Sequence, residues 1–143
     1  MAYKDMAHSH VQRLLREGLE LEKVEQDCDG DYALRHGAAR YYLTVSDRGH
    51  MIKVWSHATY GLKRSKQVLR EVNETSQHLL YSRAFIRDGH LTIEAIFPVS
   101  ILHAGFLGTV CKEVGRTTER VGQLFATVHG GILCCAGEIE AAG

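Results

Sequence analysis

The sequence predicts an α+β domain: an antiparallel sheet of about five strands with helices packed mainly on one face, in the order αβββαββα. Two short segments forty residues apart carry that prediction. Asp47-Arg48-Gly49-His50 and Arg87-Asp88-Gly89-His90 each interrupt a run of alternating apolar and polar residues. Each reads as a tight turn with glycine where positive φ is needed, and so as a β-hairpin. A stretch with helical periodicity follows each one, so a ββα unit is written twice behind an opening helix.

The opening helix is predicted from Ser9 or His10 to about Val24. Val11, Leu14, Leu15, Gly18 and Leu21 fall at three- and four-residue spacing and form one apolar stripe, which Leu19 widens. Glycine within a helix is mildly destabilising, so Gly18 points to a neighbour packed at short range. Asp27-Cys28-Asp29-Gly30-Asp31 follows as a turn. Its alternating aspartates have the spacing of a calcium loop, but the later ligand positions hold Arg35, His36 and Gly37, with no bidentate glutamate. An acidic turn is the better reading.

Tyr32 to Arg35 reads as a short edge strand, and Arg40–Ser46 with His50–Ala58 as the first hairpin. With Arg48-Gly49 as its turn, Val45 faces Ile52, Leu43 faces Val54 and Tyr42 faces Trp55. Strand side chains alternate, so Leu43, Val45, Ile52 and Val54 point to the core. Tyr42, Thr44, Lys53 and Trp55 point away from it. A second helix is expected from about Ser65 to Leu80, burying Val68, Leu69, Val72, Ser76, Leu79 and Leu80.

The second hairpin joins Tyr81–Arg87 to His90–Phe97 around Asp88-Gly89. This register sets Ile86 against Leu91, Ala84 against Ile93 and Arg83 against Glu94, the last as a cross-strand ion pair. Pro98 ends the strand, and Ser100 is placed to cap a helix running to about Val128. That helix carries Leu107, Val110, Cys111, Val114, Val121, Leu124, Phe125 and Val128 on its apolar side. Gly108, Gly115 and Gly122 recur every seven residues along it, with Gly105 nearby. Each costs about 1 kcal/mol relative to alanine, so something packs closely there: the sheet, or a second copy of the helix. His129-Gly130-Gly131 stops the helix. Residues 1–131 thus read as one domain and 132–143 as a loose tail.

A chain of 143 residues can bury one real core. Its 17 basic and 17 acidic side chains cancel, leaving no basic field of the kind nucleic-acid binding needs. Lys63-Arg64-Ser65-Lys66 is a short solvated helix start. No apolar run reaches the roughly 18 residues that span a bilayer, and the first ten residues lack the apolar stretch of a signal peptide. A cytoplasmic protein is expected, with Cys28, Cys111, Cys134 and Cys135 as reduced thiols.

No catalytic motif emerges. The chain contains no GxSxG elbow, GxxxxGK[ST] phosphate loop or GxGxxG fingerprint. His8 and His10 alone make no metal site, and His57, His78 and His103 lack carboxylates or cysteines at ligand spacing. His50 and His90 begin return strands after equivalent turns. Glu71 and Glu74 share a helix face as solvated carboxylates. Neither an enzyme nor a cofactor site is expected. One constellation remains, on the sheet face opposite the core: Tyr42, Trp55, Tyr81, Phe85 and Ile96, interspersed with Lys53, Arg83, Thr92 and Glu94. Large apolar side chains on such a face mark an interaction surface unless the chain's own elements cover them. Tyr42, Trp55, Phe85 and Ile96 would be the apolar anchors for a protein partner, with Arg83 and Lys53 as a polar rim.

The element order, with its long last helix, resembles that of type III secretion chaperones and the related bacterial YbjN-like domains. The local match runs through Glu71-Val72-Asn73-Glu74 and then Tyr81 to Pro98: a strand, a D-G turn, and a strand ending in an acidic residue and Pro. Val128-His129-Gly130-Gly131 also resembles the family, although the second helix lacks its fuller Asn-x-x-Asn pattern. The likeness spans roughly residues 10–131. It implies a non-enzymatic domain that holds an extended polypeptide client as a homodimer. The alternative reading is a small-molecule or nucleotide sensor with a polar pocket between the sheet and the final helix.

Overall fold

The computed structural model describes residues 2–133. Helix α1 (Ala2–Gly18) is followed by strands β1 (Tyr32–His36), β2 (Ala39–Val45) and β3 (Met51–Tyr60) and by helix α2 (Lys66–Gln77). Strands β4 (Arg83–Arg87) and β5 (His90–Pro98) lead into helix α3 (Ala104–His129), and a two-residue strand, β6 (Ile132–Leu133), ends the described chain. The strands lie in the order β1-β2-β3-β5-β4, each antiparallel to its neighbour, and β6 pairs with Thr59 and Tyr60 of β3. The expected α+β order is present, with the helices on one face. Past Leu133, the expected tail lies outside the described residues.

Both hairpins take the predicted registers: Val45 opposite Ile52, Leu43 opposite Val54, Ala84 opposite Ile93 and Arg83 opposite Glu94. Asp88 and Gly89 both have positive φ, 53° and 77°, as a two-residue hairpin turn requires. The first turn differs from expectation. Gly49 N donates to Ser46 O at 2.8 Å and Ser46 N to Met51 O at 2.9 Å, so the loop runs from Asp47 to His50. Only Gly49 takes positive φ there, and Arg48 avoids the left-handed strain that a two-residue turn would impose.

Helix α3 lies across the sheet with Leu107, Val110, Cys111 and Val114 fully buried, as are Leu43, Val54, Leu91 and Ile93 from the strands. Burial pushes the Cys111 thiol up to about 12, which leaves it an inert apolar group. The seven-residue glycine row packs against this chain itself. A Cβ on Gly108 would sit 2.5 Å from the Gly18 carbonyl oxygen of α1, one on Gly115 2.6 Å from His36 Cβ of β1, and one on Gly122 2.7 Å from the Ala58 carbonyl oxygen of β3. Gly105 is not part of that contact; its nearest neighbour is the His103 ring at 3.6 Å.

Four helix boundaries shift from those predicted. Helix α1 starts near the N-terminus because Tyr3 stacks on His50 and Lys4 lies against the first hairpin turn. It stops at Gly18, where it meets α3, and Glu20 then turns the chain with φ 55°. Helix α2 is capped by Ser65, whose Oγ accepts from Val68 N at 3.1 Å, but ends at Gln77. Val68 and Val72 are its buried residues, whereas Leu69 is exposed and Leu80, beyond its end, is 83% exposed. Helix α3 is capped by His103, whose Nδ1 accepts from Phe106 N at 3.2 Å; Ser100 falls in a preceding 3-10 turn. Gly130, at φ 76°, ends α3 as predicted. Leu124 and Val128 are more than half exposed, because they border a groove of about 390 Å³ between α2 and α3 instead of facing the sheet.

Polar contacts also join the packed elements. Ser56 and Thr118 hydroxyls meet at 2.6 Å, and Thr59 Oγ1 donates to the Gly122 carbonyl at 2.9 Å. Glu71 of α2 and His129 of α3 form a hydrogen-bonded pair. The hydrogen bond from His129 holds the Glu71 carboxyl below the usual glutamate range. A depressed carboxylate stabilises the fold above its unfolded pKa, and that contribution is lost as pH falls through the folded value. The stability gap between wild type and Glu71→Gln should therefore close as pH drops below about 4.3. Urea denaturation across that range checks it, and a gap independent of pH would rule the linkage out.

Candidate functional site

On the sheet face away from the helices, strand alternation brings together side chains from four strands. Tyr42 and Thr44 come from β2, Lys53, Trp55 and His57 from β3, Thr92, Glu94 and Ile96 from β5, and Arg83, Phe85 and Arg87 from β4. Cross-strand pairing sets Tyr42 beside Trp55, Trp55 beside Glu94, Lys53 beside Ile96 and Phe85 beside Thr92. All six residues predicted to bind a partner, Tyr42, Trp55, Phe85, Ile96, Arg83 and Lys53, therefore share one surface. Among the described residues no helix lies over it.

The rings form a continuous row. Centroids of Tyr42 and Trp55 are 5.0 Å apart, Trp55 and His57 5.1 Å, and His57 and His90 5.2 Å, with Tyr60 edge-on to His90 at 4.8 Å. Trp55 Nε1 donates to Thr44 Oγ1 at 2.9 Å, which fixes the indole while it remains half-buried among its neighbours on the face. Ile96 is 48% exposed at the other side of Lys53.

Cations frame the rings. Lys53 Nζ lies 5.4 Å from the Trp55 ring centre, and the Arg83 and Arg87 guanidinium groups lie 4.9 and 4.8 Å from that of Phe85. Arg83 also donates to Glu94 Oε1 at 3.1 Å, as predicted. Glu94 is almost wholly buried, so this pair is shielded from solvent on the carboxylate side. Burial, and then the nearby His90, Lys53 and Arg87, lower the proton affinity of His57 and favour its neutral form.

Tyr81 does not belong to this face. Strand β4 begins only at Arg83, and the Tyr81 ring packs edge-on against Phe106 of α3 at 5.7 Å. His57, Tyr60, Arg87 and His90 join the surface although the sequence did not single them out for it. The alternation through Lys53 and Trp55 could have found His57. Tyr60 reaches the face only through an irregularity between His57 and Thr59 that buries both Ala58 and Thr59. Between the sheet and α3, the apolar side chains described above pack together with the Ser56–Thr118 and Thr59–Gly122 contacts, and a concavity of about 520 Å³ is lined by Leu34, His36, Arg40 and Tyr41 of the sheet and Lys112 of α3.

Solved structures of similar shape include a type III secretion chaperone and a chaperone–effector complex. The structure of the Yersinia pestis type III secretion chaperone SycH with a stable fragment of YscM2 superposes with a TM-score of 0.58 at 14% identity, covering 80% of this chain and 98% of that one. The HopA1–SchA chaperone–effector complex gives 0.61 at 10% identity over 81% of this chain and 92% of that one. The ExsC–ExsE complex gives 0.55 at 14% identity over 90% and 96%. At such identities the likeness establishes the fold. No curated protein matches the chain in sequence. The family model for T3SS (YopN, CesT) and YbjN peptide-binding chaperones, type 1, matches residues 5–135, and the chain belongs to that family.

Proposed function

We propose that this protein holds an extended segment of a client polypeptide on the outer face of its sheet, acting as a homodimer and without catalysis. The observation that carries the proposal is the row of rings from Tyr42 through Trp55 to His57 and His90, with no described helix packed over it. Tyr42, Trp55, Phe85 and Ile96 are the anchors; Lys53 and Arg83 form the rim. Fixed aromatic side chains bind an apolar partner at little entropic cost, because their rotamers are already held. The peptide-binding family and the complexes named in the similar structures support a polypeptide client. The exposed Leu124 and Val128 supply apolar area that a second copy of the chain would cover.

Trp55→Ala should weaken binding of a captured client peptide by about 2 kcal/mol, or roughly 30-fold. The fold should lose only about 1 kcal/mol, from the ring contacts and the Thr44 hydrogen bond. Isothermal titration beside urea denaturation separates the two effects. Global unfolding of the variant, or unchanged affinity, would sink the assignment. Sedimentation velocity of the wild-type chain tests the dimer, which a monomer mass at working concentration would exclude.

A further inference from the structure

We propose that the concavity beside Trp55 seats a carboxylate side chain, Asp or Glu, of the bound polypeptide; this rests on the reading that a client lies along the outer face. The concavity, about 220 Å³, is lined by Lys53 and Arg87, by the imidazoles of His57 and His90, and by Asp88 and Glu94. Glu94 is already engaged by Arg83 at 3.1 Å. That leaves Lys53 and Arg87 opposed by Asp88 alone, on a chain whose formal charges cancel overall. The local field is thus cationic, and His57 responds to it: part of its resistance to protonation comes from His90, Lys53 and Arg87. A site that resists another positive charge favours a negative one.

The surroundings fit a side chain of an extended segment. Such a segment presents every second residue to the sheet, at a repeat of about 6.8 Å. An acidic residue over His57 and His90 would then have neighbours on the same side near the apolar rings of Trp55 and Phe85. His90 Nδ1 is buried and has no hydrogen-bond partner among the described residues, so the pocket is one polar contact short. The groups facing His57 are Lys53 and Tyr60 of β3, Arg87 and Asp88 at the end of β4, and His90 and Glu94 of β5. A carboxylate added among them favours imidazolium and raises the His57 pKa toward its ordinary value.

The test uses the full chain and blocked synthetic peptides with apolar residues at alternate positions, made in sets that differ only in Glu, Gln or Lys at a central position on the same side. Fluorescence of Trp55, the single tryptophan, reports binding. The Glu peptide should bind about tenfold tighter than the Gln peptide, and the Lys peptide weakest. Lys53→Gln and Arg87→Gln, made separately, should each shrink the preference for the Glu over the Gln peptide, whatever they do to the affinity common to both. The imidazole nitrogen resonances of His57 should titrate at higher pH with the Glu peptide bound. Equal affinities for Glu and Gln peptides would overturn the carboxylate seat and leave the client reading standing. Failure of every peptide to bind would overturn both. An equal shift of the His57 titration by inorganic phosphate alone would overturn the assignment to a side chain.

Discussion

Replacing Glu113 with alanine should lower the stability of the fold by about 3 kcal/mol. Glu113 projects from α3 and is 7% exposed. Its carboxylate accepts from the backbone N–H groups of Leu80, Tyr81 and Ser82 at 2.7, 2.9 and 2.9 Å, and from Ser82 Oγ at 2.8 Å. Four donors on one charge satisfy the carboxylate's desolvation and fix the segment between α2 and β4. Removing it strands three successive amides. Each would cost about 1–3 kcal/mol if fully buried, reduced here because Leu80 lies in water. Glu113→Gln should recover part of the loss, since its amide oxygen can replace one carboxylate oxygen while its NH2 group faces the remaining backbone N–H, and the charge is gone. The expected signature is a lower urea midpoint with unchanged slope and faster amide exchange at residues 80–82. A loss below about 1 kcal/mol would mean that solvent replaces the carboxylate at no cost. Because the segment leads into β4, which carries Arg83 and Phe85, the same variant should also loosen one side of the proposed client face.

Glu113 also shows where sequence reading stops. Its position was legible only in principle: Val110, Val114 and Val121 read from the sequence as the buried stripe, but not Glu113, Thr117 or Thr118, which share it and are buried too. Its role was not, because the donors come from a connection whose shape no pattern specifies. The hairpins were legible for the opposite reason. Turn chemistry at Asp88-Gly89 fixes the register, and the register fixes every side chain's face, so Phe85, Arg83 and Ile96 follow from arithmetic alone. Where the strand breaks period, as after His57, the arithmetic fails and Tyr60 is lost. Tyr81 was misassigned by a similar error, the alternation of β4 being carried back past its first residue. The helix ends were misread because contacts made elsewhere set them: α1 stops where it strikes α3, and His103 displaces Ser100 as a cap after a 3-10 turn intervenes.

The face and the core make different demands on the same strands, and β3 shows both. Ile52, Val54 and Ser56 point inward, and Ser56 meets Thr118 of α3. Lys53, Trp55 and His57 point outward and stack upon one another. An outward row needing only solubility would be polar throughout. Keeping rings there, each held by a neighbour, is consistent with a preformed surface whose order is set before a partner arrives.

Gly108→Ala should destabilise the protein by about 2 kcal/mol, and Gly108→Val by about 4, against the usual trend for such changes. Alanine in a helix interior is ordinarily favoured over glycine by about 1 kcal/mol. Here the new Cβ would sit 2.5 Å from the Gly18 carbonyl oxygen, and the obstacle is backbone, not a side chain that can swing away. The reciprocal contact is as tight, with a Cβ on Gly18 meeting the Ala104 carbonyl oxygen at 2.4 Å. The helices must separate by roughly 0.5–1 Å, which loosens the packing of Val11, Leu14 and Leu15 and forfeits part of their dispersion contacts. It also strains the link from α1 to β1, where His8 Nδ1 and Gln12 Nε2 meet the Tyr32 hydroxyl at 2.7 and 3.0 Å. Gly105→Ala, one turn earlier on the same helix, is the control: its Cβ would find only the His103 ring at 3.6 Å, so the change should be neutral or stabilising by up to about 1 kcal/mol. Denaturation of both variants, with tryptic cleavage at Arg13 and Arg16 as a measure of α1 release, decides the matter. Stabilisation by both substitutions would show that the two helices do not meet backbone to backbone at Gly18 and Gly108.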